Sequence, residues 1–250
     1  MLMKNKLIII SGPSCVGKSP LLKSLRANYP ALFRNMDSLV LYNSRAPRPG
    51  EGEGRDYHFR SEKEVRALGR KPHILAMKVR NDFQAVDIDR LKADLKERSI
   101  LFEGNPFIGE KLITHPAMRA VSKRSIFISP LTSEEIKAIQ KKKRPSLKTV
   151  IFRIMYTKQL RRAARMEKEL TPAVIRDLKT RARSAYRELG YAHTFQHIVV
   201  NHDGEDSENW SDFGIPLGDA RRTMRTVAAI LSGKNTNRAG SCRHGSSYPI

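Results

Sequence analysis

An α/β fold built on a mostly parallel, doubly wound sheet is what this 250-residue sequence predicts, and three observations predict it. Short β-branched runs alternate with helical patterns along the chain, the arrangement that strand–helix–strand crossovers produce. The first strand–helix junction is a glycine-rich turn. Hydrophobic residues make up 40% of the chain, enough for a substantial core. No apolar run approaches the ~18 residues of a membrane-spanning helix.

Residues 6–10 (KLIII) are bounded by Ser11-Gly12-Pro13, so they read as a buried strand running into a turn. Residues 19–26 follow with Leu21, Leu22 and Leu25 on one helical face, and Pro20 suits the first turn, where a missing N–H costs little. Further strands are predicted over 38–42, 99–102, 125–129 and 196–200, and helices over 62–68, 88–97, 133–143, 172–189 and 219–231. Two regions break the alternation. Residues 43–59, rich in Arg, Pro and Gly, read as a structured loop or ribbon, and residues 137–183 are heavily basic. From 233 onward the chain is rich in Gly and Ser without periodicity and is expected to be a disordered tail.

The 47 Lys and Arg residues against 25 Asp and Glu give a net charge of +22. Such a surface attracts polyanions, whether nucleotides, nucleic acid or acidic membranes, and charge alone does not choose among them. The two cysteines, Cys15 and Cys242, argue against a disulfide scaffold and fit a reducing, cytoplasmic setting. Residues 7–10 are too short for the apolar core of a signal peptide. His193-x-x-x-His197 would form a metal-binding face only on a helix, and His197 begins an apparent strand, so surface histidines are expected there. Trp210 is expected to anchor packing rather than to stack on a ligand.

Gly12-Pro13-Ser14-Cys15-Val16-Gly17-Lys18-Ser19 matches G-x-x-x-x-G-K-[ST] in full, between an apolar strand and an amphipathic helix. Glycines at both ends let the backbone wrap so that its N–H groups point at phosphate oxygens, and the helix N-terminus adds partial positive charge. Lys18 is assigned to the β- and γ-phosphates of ATP and Ser19 to Mg²⁺. Cys15 is read as a small spacer.

Arg45 and Arg48, three residues apart, precede a Pro/Gly turn and then Tyr57. Guanidinium forks bind phosphate bidentately and a phenol adds one donor, so this is a clamp for a small dianionic phosphate. The stretch resembles the guanylate kinase pattern T-T-R-x-P-R-x-G-E-x-x-G-x-D-Y-x-F, with Arg45, Pro47, Arg48, Gly50, Glu51, Gly54, Asp56, Tyr57 and Phe59 coinciding and Asn43 and Ser44 replacing the threonines. Residues 125–136, 181–188 and 199–203 are more weakly similar to later segments of that family. The resemblance implies a P-loop NTPase three-layer fold with a parallel sheet, an acceptor-binding subdomain near 38–90 and a basic lid within about 140–185, all within a domain spanning 1–232. It implies that Arg45, Arg48 and Tyr57 hold the phosphate of the acceptor, GMP by default. Arg162, Arg165 and Arg181 would act as a group, neutralising charge on the transferring phosphoryl.

The departures fall on base recognition. Where guanylate kinases have F-I-E-W-A-E-V-x-G-N-x-Y-G-T, this chain places Leu75 and Lys78 at the two glutamates and Gln84-Ala85-Val86 at Tyr-Gly-Thr. Glu103 keeps one carboxylate of the next acidic strand end, for Mg²⁺ or a water, and Asn105 stands where the family has a guanine-contacting Asp. Glu103 and Asn105 complete the candidate acceptor-binding set. Lys78 and Arg80 add positive charge beside the acceptor, which suits a more anionic one. Three other readings follow: a kinase of a phosphorylated sugar such as a ribose bisphosphate, a non-catalytic guanylate-kinase-like binding module, and a nucleic-acid-binding protein supported only by the charge.

Overall fold

The apolar run after Lys6 becomes the middle of a six-stranded sheet. In the computed structural model, which describes residues 5–48, 50–142, 144–166, 169–234, 241–243 and 249, β1 (Leu7–Ser11) lies parallel to β7 (Ser99–Gly104) on one side and β8 (Lys123–Ser129) on the other. β2 (Met36–Ser38) extends the sheet beside β7, β9 (His197–Val200) extends it beside β8, and β10 (Ser241–Arg243) pairs antiparallel with β9. All five residues of β1 are buried, as in a strand covered on both faces. Alternate side chains feed two cores: Leu7 and Ile9 join Phe102, Phe127 and Leu112, whereas Ile8 and Ile10 join Leu21, Leu25 and Val227.

Helices α1 (Lys18–Asn28) and α8 (Gly218–Leu231) cover the second face. The first is covered by α3 (Ile88–Glu97), α4 (Pro106–Thr114), α5 (Ser133–Lys141), α6 (Leu147–Arg165) and α7 (Pro172–Leu189). The result is the three-layer α/β fold with a parallel sheet that the alternation predicts. None of the described helices is long and apolar enough to cross a membrane.

A second sheet of four strands has the order β4 (Tyr57–Phe59), β3 (Leu41–Asn43), β6 (Asp82–Asp87), β5 (Ile74–Val79). Helix α2 (Glu62–Leu68) starts with a capping box between Ser61 and Glu64 and buries Val65 against Ile74 and Ala85. β5 and β6 form a hairpin in which Val79 opposes Asp82, leaving Arg80 and Asn81 as the turn. Arg80 has φ 57°, the left-handed conformation that two-residue hairpins demand.

Four expectations need correcting. The strand predicted over 38–42 is two strands in different sheets, because Ser38 pairs with Leu101 of the main sheet whereas Tyr42 pairs with Ala85 of the second. The helix predicted over 133–143 ends at Lys141. The basic region contains the 19-residue α6, whose buried Leu147, Ile151, Met155, Gln159 and Ala163 recur every fourth residue among the cations. Within the tail, Ser241–Arg243 satisfies the edge of β9, whereas 235–240, 244–248 and 250 lie outside the described residues.

His202, after β9, ties two helix N-termini together: its ring nitrogens meet Asp219 Oδ2 of α8 at 2.5 Å and Glu135 Oε2 of α5 at 3.0 Å. Burial alone would lower the pKa of His202, but the bonds to Glu135 and Asp219 outweigh it and raise the value. The charged ring therefore stabilises the fold fully below the ordinary histidine value of about 6.5, and that contribution is lost as pH rises through the raised folded value. The melting-temperature gap between wild type and His202→Gln is expected to be largest in acid and to close in mildly alkaline buffer. A pH-independent gap would mean the ring acts through packing alone.

Candidate active site

The turn from β1 into α1 wraps as the sequence motif requires. Gly17 has φ 95°, and a Cβ there would meet Asn201 Nδ2 at 2.5 Å and Asp203 O at 2.7 Å, so only glycine fits. Asn201 is fully buried and braces the turn, donating from Nδ2 to Val16 O at 2.7 Å. Trp210 packs beside Gly17 with its Nε1 donating to Asp203 O at 2.7 Å, an anchor as expected. Lys18 is 7% exposed and its Nζ donates to the carbonyls of Gly12 (3.0 Å) and Pro13 (2.8 Å). Burial pushes its pKa down, against the pull of Glu205, Glu103 and Glu188. Ser19 Oγ donates to Glu103 Oε1 at 3.0 Å. Burial raises the Glu103 pKa, while Lys18 and the Ser19 bond pull it back. Glu103 thus touches the phosphate-loop end of the cleft while sharing that cleft with Arg45, Arg48 and Tyr57. Its strand, β7, is the immediate neighbour of β1 and ends level with the turn.

The second sheet brings the clamp to the same cleft. Arg45 is gripped by Glu51 through two bonds of 2.6 Å, and Glu51 also accepts from the backbone N–H of Arg48 at 2.9 Å. The Arg45 guanidinium lies 5.0 Å from the Tyr57 ring centre. Burial raises the Tyr57 pKa, so the phenol keeps its proton and remains a donor. Arg48 carries no ion pair among the described residues. Asn105 caps α4, with Oδ1 accepting from Ile108 N at 3.0 Å, and its Nδ2 donates to Gln84 Oε1 at 2.9 Å. The backbone donor fixes the Asn105 amide, and this in turn leaves the Gln84 Nε2 donors over.

Helices α6 and α7 border the cleft. Arg162 pairs with Glu205 at 2.8 Å and Arg181 with Asp177 at 2.8 Å, and all four line it. Arg165 does not. One helical turn farther along α6, it pairs with Asp212 at 2.8 Å, so the three-arginine group reduces to two at the cleft. Arg80 lines the cleft, whereas Lys78 points to solvent. The whole space is about 780 Å³ and takes in Gly12, Ser14, Cys15, Lys18 and Ser19 at one end and Arg45, Arg48 and Tyr57 at the other.

The guanylate kinase family model matches residues 4–156, more than half of the chain. The chain belongs to the guanylate kinase family. It is 27% identical over 212 residues to the guanylate kinase of Rickettsia prowazekii, covering 81% of this chain and 87% of that one. It is 27% identical over 208 residues to the guanylate kinase of Porphyromonas gingivalis (79% and 89%). The crystal structure of guanylate kinase from Anaplasma phagocytophilum superposes with a TM-score of 0.53 at 20% identity, covering 95% of this chain and 89% of that one, a likeness of fold.

Against the family pattern, four residues gain roles the sequence did not assign. Glu51 organises both clamp arginines, and its spacing, three residues after Arg48, was the available signal. Gln84 and Asp82 share the cleft-facing side of β6, two residues apart. Glu205 lies in an unpatterned loop that offers no signal. Cys15 is buried and its pKa is pushed up to about 12, chiefly by burial, so it is an inert spacer.

Glu51→Gln is expected to raise the acceptor KM about tenfold, the ~1.4 kcal/mol of one charge-assisted bond, with ATP KM unchanged. An unchanged acceptor KM would remove Glu51 from the clamp. In a Cys242→Ser chain, Cys15 should resist iodoacetamide until the protein is unfolded, and mass spectrometry of the native protein checks this.

Proposed function

We propose that this chain is an ATP-dependent kinase that moves the γ-phosphoryl of ATP to the phosphate of a nucleoside monophosphate, GMP by default. The observation that carries the reading is the shared cleft: a triphosphate loop faces a two-arginine, one-tyrosine clamp in a member of the guanylate kinase family. The second sheet with its loops, about 38–90, is the acceptor-binding subdomain, and about 140–185 is the lid.

The backbone N–H groups of the loop and Lys18 hold the β- and γ-phosphates, Lys18 exchanging its two carbonyl partners for phosphate oxygens. The hydroxyl of Ser19 and the carboxylate of Glu103, in contact at 3.0 Å, are the hard oxygen donors that suit Mg²⁺. Bound there, the ion would neutralise charge on the β- and γ-oxygens. Arg45, Arg48 and Tyr57 orient the acceptor phosphate. One of its oxygens attacks the γ-phosphorus, the bond from that phosphorus to the bridging oxygen breaks, and ADP departs with the electron pair. Arg162 and Arg181 release Glu205 and Asp177 for the charge developing in transit, and the lid excludes water.

A second reading, phosphorylation of a phosphorylated sugar, draws on Gln84 and Asn105. Where the family has a guanine-contacting Asp, Asn105 and its partner Gln84 present N–H donors, so guanine's own N–H groups lose one acceptor there. Sugar and phosphate oxygens are acceptors and suit those donors.

ADP release from Mg-ATP, measured with GMP, AMP, CMP, UMP and ribose phosphates, decides. Stimulation by GMP supports the first reading and by a ribose phosphate the second. Lys18→Ala is expected to lower either by about 10²–10³-fold. ATP binding with no stimulation by any acceptor would leave a non-catalytic binding module.

A further inference from the structure

The β5–β6 turn places an arginine in the cleft at a position that the family pattern leaves unspecified. Arg80 occupies the left-handed backbone region, with φ 57°, and its side chain, 18% exposed, lines the same space as Lys18, Arg48 and Arg181. Its Nε and Nη2 both donate to Glu188 Oε1, at 2.9 and 2.6 Å, and Ser184 Oγ donates to the same oxygen at 2.7 Å. Glu188, on α7, is fully buried. One edge of the guanidinium is therefore clamped from behind, and its Nη1 is left over.

We propose that Arg80, held by Glu188, is a catalytic residue whose free guanidinium edge contacts the phosphoryl group in transit between the phosphate loop and the acceptor clamp. This rests on the kinase reading of the cleft. Three features separate the role from that of a stabilising ion pair. A buried pair contributes little to stability compared with well-packed apolar side chains, so stability alone does not explain it. Arg80 shares the cleft with Lys18 of the phosphate loop and Arg48 of the clamp, which puts it beside the transfer point. Its donors are also preorganised: Arg162 and Arg181 must leave partly exposed pairs to act, whereas Arg80 is fixed to the hairpin with an edge already open. The transfer itself is the one described above, and Arg80 supplies hydrogen bonds without exchanging a proton.

The test compares steady-state kinetics of the wild type with Arg80→Gln, Arg80→Ala and the double variant Arg80→Gln/Glu188→Gln, using the acceptor that best stimulates the wild type. Arg80→Gln and the double variant are expected to lose about 10²–10³-fold in kcat, with both KM values within about threefold. Guanidinium ion added to Arg80→Ala should restore part of the kcat, which a merely structural role would not allow. If Arg80→Gln fails to fold because Glu188 is left buried and unpaired, the double variant, which carries no such charge, decides. A double variant with wild-type kcat, a loss confined to the acceptor KM, or absence of guanidinium rescue each overturns the role. An inactive wild type overturns the kinase reading and this role with it, whereas an active wild type with undiminished variants overturns the role alone.

Discussion

A buried ammonium is the constraint around which the molecule is arranged. Lys18 is almost wholly enclosed, and the only hydrogen-bond acceptors on it among the described residues are two carbonyls of its own loop. A lysine so placed tends to lose its proton, which would end its use as a phosphate ligand. Glu103 of β7, Glu188 of α7 and Glu205 of the segment after β9 counter that tendency from beyond contact distance. They come from three separate parts of the chain, which the tertiary fold gathers around the loop's cation. None of the three touches Lys18, which leaves its ammonium free to turn to a phosphate.

The second sheet answers a different requirement. Two arginines held near one another repel, and an acceptor phosphate needs both. Glu51 resolves this by taking the Arg45 side chain and the Arg48 backbone at once, while the Tyr57 ring gives Arg45 a second, uncharged partner. Arg45 is thus immobilised, whereas Arg48 has no direct ion pair among the described residues. In the proposed kinase the clamp is one fixed guanidinium beside one available guanidinium, an asymmetry that would orient an incoming phosphate.

How much of this was legible follows from how local each feature is. The phosphate loop lies within eight consecutive residues, and its backbone geometry is dictated by glycines the motif names, so both chemistry and place could be read directly. The clamp, at residues 45–57, was nearly as readable. The β5–β6 hairpin was not, because its two strands alternate poorly: Leu75 and Met77 fall on one face and Ala76 and Lys78 on the other, a weak amphipathic signal. Arg80 could be seen as a charge but not as a held one, since Glu188 lies 108 residues away. Asn105 was legible as a departure from the family pattern, whereas its role as the cap of α4 required knowing that Pro106 begins a helix.

The basic lid shows the same limit with a functional consequence. Arg162 and Arg165 read from the sequence as cations for the transferring phosphoryl, and Lys158 lies one turn before Arg162 on α6. In the fold they meet Asp206, Glu205 and Asp212 of the single segment after β9. Those three cations are therefore paired within the fold. Arg162 and Arg165 remain partly exposed in their pairs, and exposed pairs contribute only about 0–1 kcal/mol each. Pairs of that strength hold α6 against the segment after β9, and in the proposed kinase they would yield to a triphosphate, whose oxygens present more charge than a carboxylate. In the proposed kinase, a lid that opens in every cycle requires this combination, and a tighter, buried set of pairs on α6 would forfeit it.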